Sequence, residues 1–451
     1  MRILKAAGLT LLVTAPAPAQ IVAQPSAGTY QRAVAAGYKA ALYCSGIFNA
    51  GRAPEQIDAD ELTGIYPEYD GIVSTLTAKV DRKLQTVEVM FDPKLQPRRA
   101  VWTSGHGCVT LPIGSTAPQG SKSAATSPIA GADPRRWPQG DAGIAPRPSR
   151  ALAGGVAKAF EGTYGAGTKT VAVIVVKDGR VLAERYGSGF GPFVSNRTWS
   201  VGKSIAGTLI GLANAGSLNA RASVAQWKAG DPREAIKLDD LLRMASGLHS
   251  DTPGNRTDAI YFGGTTVDEQ AVSWPLEAVP GTRFRYANND ILLAVYATRQ
   301  AIGEDRYRAL PGSLFAPLGM SHTVAETDWH GNYILSSQVW STGRDLARLG
   351  LFWSQDGVWA GKRLLPEGWM ETLKSPSGPQ PTSGPGYGAT MWLFGPKQGL
   401  PEGSFGAQGN RGQYVMVVPS RRLVVVRRGE DPGTARFDIA QFTADIAAVL
   451  P

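Results

Sequence analysis

Histidine and cysteine are scarce in this chain, with four His and two Cys among 451 residues. His106, His249, His322 and His330 stand apart. No two have the His-x-x-x-His spacing that sets two metal ligands on one helix face. The pattern therefore gives no support to a His-based metal site, and any general base must be sought elsewhere. No Ser lies in a Gly-x-Ser-x-Gly elbow, which argues against an α/β-hydrolase. Gly202-Lys203-Ser204 copies the end of a phosphate-binding loop, but Arg197 stands where that motif needs its first glycine. No apolar run approaches the roughly 20 residues of a membrane span. Charge is also sparse, at 18% of residues. The formal excess of +9 is spread over separate pairs such as Arg98-Arg99, Arg135-Arg136, Arg421-Arg422 and Arg427-Arg428. Scattered pairs read as solvated surface, so no nucleic-acid partner is expected.

Glycine and proline are plentiful, at 54 and 31 residues, but stay below the share at which low complexity sets in. The chain is a folded one with many turns, and its length suits two domains. Residues 1–19 read as a secretory signal: Arg2 and Lys5, the apolar run Ala6 to Val13, then Ala17-Pro18-Ala19 as a small-x-small cleavage site. Gln20 would begin the mature protein, its net charge reduced from +9 to +7 by loss of Arg2 and Lys5. The expected location is periplasmic or secreted. No Cys follows the cleavage site, so no stable membrane anchor is indicated. In an exported protein Cys44 and Cys108 can pair in only one way. Closing that loop would stabilise by about 4 kcal/mol in the chain-entropy model. Two buried free thiols are the alternative.

Residues 20–111 read as a small α+β unit. Tyr30, Val34, Tyr38, Ala41 and Leu42 recur at helical steps within 28–50, and Thr86 to Phe91 and Ala100 to Thr103 suit short strands. Residues 112–150 are rich in Pro, Ser, Ala and Gly, as in a linker or a strap. The larger unit, 151–451, opens with a helix at Ala151 to Phe160. The apolar run Val171 to Val176, the turn Lys177-Asp178-Gly179-Arg180 and Val181 to Tyr186 then read as a hairpin. A helix-rich middle spans 203–350. A second hairpin follows at Tyr414 to Val418 and Leu423 to Arg427, and a terminal helix covers Phe437 to Leu450. Strands at both ends with helices between predict one antiparallel sheet completed by both termini.

The chemistry gathers at Ser200-Val201-Gly202-Lys203, the single Ser-x-x-Lys in the sequence. It opens an apolar helix, so Ser200 and Lys203 at i and i+3 share a face. The helix N-terminus sets positive potential at the Ser. A neutral Lys can take the Ser proton without any His. Its free pKa is about 10.4, so desolvation or a nearby cation must lower it. Tyr286-Ala287-Asn288 is the single Tyr-x-Asn. Near the C-terminus, Gly409-Asn410-Arg411-Gly412-Gln413 precedes a strand. Gly412 would let substrate lie against the backbone, and the Gln413 N–H could join the Ser200 N–H in an oxyanion site.

This order of motifs resembles the serine β-lactamase and penicillin-binding-protein superfamily. The closer likeness is to its class C-like esterases, D-amino-acid peptidases and 6-aminohexanoate-dimer hydrolases. Segments 238–248, 314–320 and 341–348 add to it. It covers about residues 151–451 and leaves 20–150 outside. The resemblance implies an α+β fold: a β-lactamase-like antiparallel sheet flanked by helices, with a helical subdomain, preceded here by the small α+β unit. It implies a serine hydrolase acting on a small amide, ester or short peptide, with no cofactor. Ser200 would form the acyl-enzyme, Lys203 would be the base, Tyr286 would relay a proton, and Asn288 would bond the Lys or the substrate. A packed ring at Tyr286 and a helix N-cap at Asn288 are the plainer readings. Where β-lactamases and carboxypeptidases usually carry Lys-Thr-Gly, this chain has Asn410-Arg411-Gly412. Arg411 would either meet a substrate carboxylate or be a solvated side chain. Tyr261 is a further candidate to line the pocket. A β-lactamase or D,D-peptidase, and a catalytically silent binding protein on the same scaffold, are the competing readings. The oligomeric state stays open.

Overall fold

The computed structural model describes residues 27–116, 131–214, 218–250 and 257–451. The proposed signal segment and part of the proposed strap lie outside the described residues.

The central sheet has seven antiparallel strands. In spatial order they are Gly386–Tyr387, Trp392–Phe394, Ser404–Gly409, Gln413–Val418, Leu423–Gly429, Thr170–Lys177 and Arg180–Tyr186. The C-terminal hairpin thus pairs directly with the first strands of the larger unit, as both-ends closure predicts. Asp178 and Gly179 both have positive φ, the conformation a two-residue hairpin with the right twist requires. The apolar run Val171 to Val176 has no polar alternation because both its faces are covered. Ala172, Ile174 and Val176 join the core with the helices Val201–Ala213 and Gly343–Ser354. Val173 and Val175 join a second core with the helices Arg150–Lys158 and Ile439–Ala448. Val201–Ala213 is buried on almost every side, with Asn288–Ile302 and Glu304–Leu318 packed beside it.

The N-terminal unit lays the helix Ala27–Phe48 across four antiparallel strands, Ala78–Asp81, Thr86–Val89, Arg98–Thr103 and Gly107–Thr110. Cys44 and Cys108 are bridged, joining that helix to the last strand. The hydrophobic core runs on from this unit into the helical part of the larger one. Buried polar groups fasten the contact. Arg98 donates to the carbonyls of Ala33, Leu111 and Phe262 at 3.0, 2.9 and 2.9 Å. The Glu326 carboxylate accepts from Ser45, Asn49 and the Cys108 N–H at 2.6, 2.8 and 3.0 Å. Beyond the undescribed stretch, residues 131–142 form a strap held by buried Arg348. Its guanidinium donates to the Pro138 and Gly140 carbonyls and pairs with Asp141, at 2.8, 2.7 and 2.8 Å.

Candidate active site

Ser200 caps the N-terminus of the helix Val201–Ala213, with its backbone already in the right-handed helical region. The preceding Trp199 has φ +50°. A bulky residue in that region costs on the order of 1–3 kcal/mol and persists only where the surroundings fix it. Here the Arg197 guanidinium stacks on the Trp199 ring at 3.7 Å, and both side chains are buried.

One helical turn on, the Lys203 amine reaches Ser200 Oγ at 2.9 Å, Asn288 Oδ1 at 2.5 Å and the Ser336 carbonyl at 3.1 Å. A neutral amine has two N–H donors and one lone pair. The amide oxygen and the carbonyl can only accept, so they take the two N–H groups. The lone pair is left facing the Ser200 hydroxyl. Burial lowers the Lys203 pKa to about 7, and the Arg197 charge pushes the same way. The side chain is thus poised to be neutral near pH 7 without any carboxylate.

Tyr286 is half-buried, with its ring 4.9 Å from the Lys203 amine and 5.4 Å from the Trp392 ring. Its hydroxyl lies beside the Ser200 hydroxyl. Burial raises the phenol well above its ordinary value, so it stays protonated at neutral pH. Asn288 lies in the first turn of the helix Asn288–Ile302, where Ala287 holds the cap position; its side chain turns to Lys203. Tyr261, in the short helical turn Ala259–Gly263, bonds the Ser336 hydroxyl at 2.5 Å and lines the same cavity. The structure thus brings Ser200, Lys203, Tyr286, Asn288 and Tyr261 together.

The C-terminal segment is arranged otherwise than its sequence suggested. Asn410, Arg411 and Gly412 form the tight turn between the strands Ser404–Gly409 and Gln413–Val418, and all three border the cavity. Gln413 pairs with Gly409 in the hairpin, and its side chain is buried in the sheet between Arg428 and the Gly429 carbonyl. Gly412 has φ +75°, and a Cβ there would collide with the buried Arg427–Asp431 pair, so packing explains the glycine without any appeal to substrate. The glycine that guards Ser200 is Gly409. A Cβ on it would stand 2.4 Å from the Thr198 carbonyl and 3.0 Å from the Ser200 nitrogen. Arg411 neither faces Ser200 nor is solvated. It is 5% exposed and donates to the carbonyls of Asp60, Thr63 and Gly64 in the N-terminal unit while approaching Glu430 at 3.4 Å.

Sequence reasoning quoted Gly409 and Arg197 without giving them a role at the site, and did not reach Ser336 and Ser337. Arg197 donates to the Ser337 hydroxyl at 2.9 Å, and Ser336 serves both Lys203 and Tyr261. No motif marks this segment; its place depends on contacts more than 130 residues distant in the chain.

The cavity above Ser200 has a volume of about 790 Å³, enough for a small organic acyl compound. A sequence profile described as Beta-lactamase matches residues 156–448. Among curated proteins, the 6-aminohexanoate-dimer hydrolase of Paenarthrobacter ureafaciens is 26% identical over 301 residues, covering 59% of this chain and 74% of that one. Among solved structures, a class C beta-lactamase superposes with TM-score 0.53 at 13% identity, covering 67% of this chain and 96% of its own. A penicillin-binding-protein homologue from Caulobacter crescentus gives TM-score 0.52 at 18% identity, covering 67% and 98%.

Proposed function

The chain belongs to the Beta-lactamase family, and on that premise we propose that it is a serine hydrolase that cleaves an amide or ester through an acyl-enzyme on Ser200. The observation that carries this reading is the Lys203 amine 2.9 Å from Ser200 Oγ, with two groups that can only accept, Asn288 Oδ1 and the Ser336 carbonyl, as its other hydrogen-bond contacts. Lys203 takes the Ser200 proton as Oγ attacks the acyl carbon. The developing oxyanion gathers at the helix N-terminus, beside the Ser200 N–H that Gly409 leaves uncovered. Tyr286 relays the proton now on Lys203, giving its own to the departing oxygen or nitrogen and taking that one in its place, so the bond to the leaving group breaks without expelling an anion and both groups return to neutral. Water then attacks the ester on Ser200, gives a proton back through the same groups, and releases the acid.

By its name the Paenarthrobacter relative hydrolyses 6-aminohexanoate dimer. A small amide, ester or short peptide is the corresponding substrate class proposed here. Arg411, turned toward the N-terminal unit, offers no charge to the carboxylate of a β-lactam, which favours the amidase or esterase reading over a β-lactamase or D,D-peptidase. We also propose export with Gln20 as the mature N-terminus; the Cys44–Cys108 bridge suits an oxidising compartment. N-terminal sequencing of the mature protein tests that point.

The decisive experiment is labelling with a fluorophosphonate probe, alongside turnover of p-nitrophenyl esters and nitrocefin. The adduct is expected on Ser200, with ester turnover and little nitrocefin hydrolysis. Labelling and turnover that persist in Ser200→Ala would overturn the assignment. An unreactive Ser200 with no hydrolysis of a broad ester and amide panel would point to a silent scaffold.

A further inference from the structure

The family match begins at residue 156, yet the residues it covers do not close the cavity alone. Tyr38, Gly64, Ile65, Tyr66, Pro67 and Glu68 of the N-terminal unit supply part of its lining, in the same cavity as Ser200, Tyr286 and Trp392. This wall is held in place. The Gly433 N–H donates to the Gly64 carbonyl at 2.9 Å, and Arg411 donates to the carbonyls at 60, 63 and 64. The Tyr66 ring meets Tyr38 edge-on at 6.5 Å, and Tyr38 in turn packs on Phe262 at 4.0 Å. Tyr66 precedes the helix Pro67–Val73 without making a side-chain cap. Ile65, Tyr66 and Pro67 together add an apolar, aromatic stretch to a cavity that the rings of Tyr286 and Trp392 also line. Both arginines of the lining are engaged with the protein itself: Arg411 with carbonyls and Glu430, and Arg436 with the carbonyls of Gly433 and Ala435 at 3.3 and 2.7 Å.

We propose that segment 65–67 is the specificity wall of the hydrolase, selecting a neutral acyl group that ends in an aromatic or branched apolar moiety. The proposal rests on the acyl-enzyme reading above. It assigns to the N-terminal unit a direct part in substrate choice.

The test compares two esters with one leaving group, p-nitrophenyl 4-phenylbutyrate and p-nitrophenyl acetate, in the full mature chain. The quantity read is the ratio of their kcat/KM values. Losing an aromatic contact in a buried site is expected to lower that ratio about tenfold or more in Tyr66→Ala. Tyr66→Phe, which keeps the ring, should hold the wild-type ratio. Ile65→Trp, which fills the cavity instead of emptying it, should also lower the ratio and guards against a Tyr66→Ala protein that fails to fold. Ratios that stay at the wild-type value in both Tyr66→Ala and Ile65→Trp overturn the proposal. Fluorophosphonate labelling of Ser200 separates the two levels. A labelled Ser200 with unchanged ratios sinks the wall alone; an unlabelled, inactive Ser200 sinks the acyl-enzyme reading and the wall with it.

Discussion

Lys203 and Arg411 are both buried cations beside one cavity, and they differ in what surrounds the charge. Lys203 has a hydroxyl, an amide oxygen and a carbonyl. Desolvation is therefore answered by no negative charge, and its pKa falls to about 7. Arg411 sits in a cluster with Arg52, Asp60, Glu61 and Glu430, which Lys169 also joins through Asp60. There burial, which alone would lower the Arg411 pKa, is outweighed by Glu430 and Glu61, and the net direction is upward. Burial by itself thus does not decide what a cation does. With carboxylates at hand it becomes a fastener; with neutral oxygens it becomes a base.

The largest expected effect removes the base. Lys203→Met keeps a stem of similar length and deletes a desolvated amine, so the fold should survive with an unchanged or higher melting temperature. Turnover of a p-nitrophenyl ester should drop by about 10²–10⁴-fold, the usual contribution of general-base catalysis. A rate within a few-fold of wild type would remove Lys203 from the mechanism. Next comes the fastener. Arg411→Met leaves buried Glu430 with only the Asn196 amide at 2.9 Å and Arg52 at 4.0 Å, and removing one partner of a buried pair costs about 3–5 kcal/mol. Urea denaturation should show that loss, and Arg411→Lys should recover only part of it, because an ammonium cannot reach the spread of carbonyls that the planar guanidinium serves. A change below about 1 kcal/mol, within the range of exposed ion pairs, would mean that the cluster does not hold the N-terminal unit.

Local rules made much of this legible in the sequence. Asp178-Gly179 announced its hairpin because few residues accept two positive φ angles in succession. The i, i+3 spacing was enough to bring Ser200 and Lys203 to 2.9 Å. The apolar run at 171–176 indicated a strand, although only the packed helices explain why neither face is polar. What stayed hidden was long-range. Period-two alternation says that Arg411 could turn from the site, but not that carbonyls some 350 residues earlier would receive it. Gly409 and Gly412 look equivalent on paper, and only the approach of Ser200 to one and of Arg427 to the other separates them. The unit at 20–150 matched no motif, so its wall on the cavity could emerge only from the assembled chain.

The finest test turns one cation's surroundings into the other's. In the wild-type protein, kcat/KM should rise with pH through an acid limb near pH 7, because the reactive Lys203 is the deprotonated one. Asn288→Asp sets a carboxylate where an amide oxygen now lies 2.5 Å from the Lys203 amine. An opposite charge at that range favours the protonated ammonium and typically moves a pKa by about 1–3 units, here upward. The acid limb should therefore shift to higher pH, with activity at pH 7 falling about tenfold or more and returning as the pH is raised. A merely structural Asn288 would lower the rate equally at every pH. An acid limb that stays near pH 7 in Asn288→Asp would mean that neutral surroundings do not set the Lys203 charge, and the contrast with Arg411 would lose its physical basis.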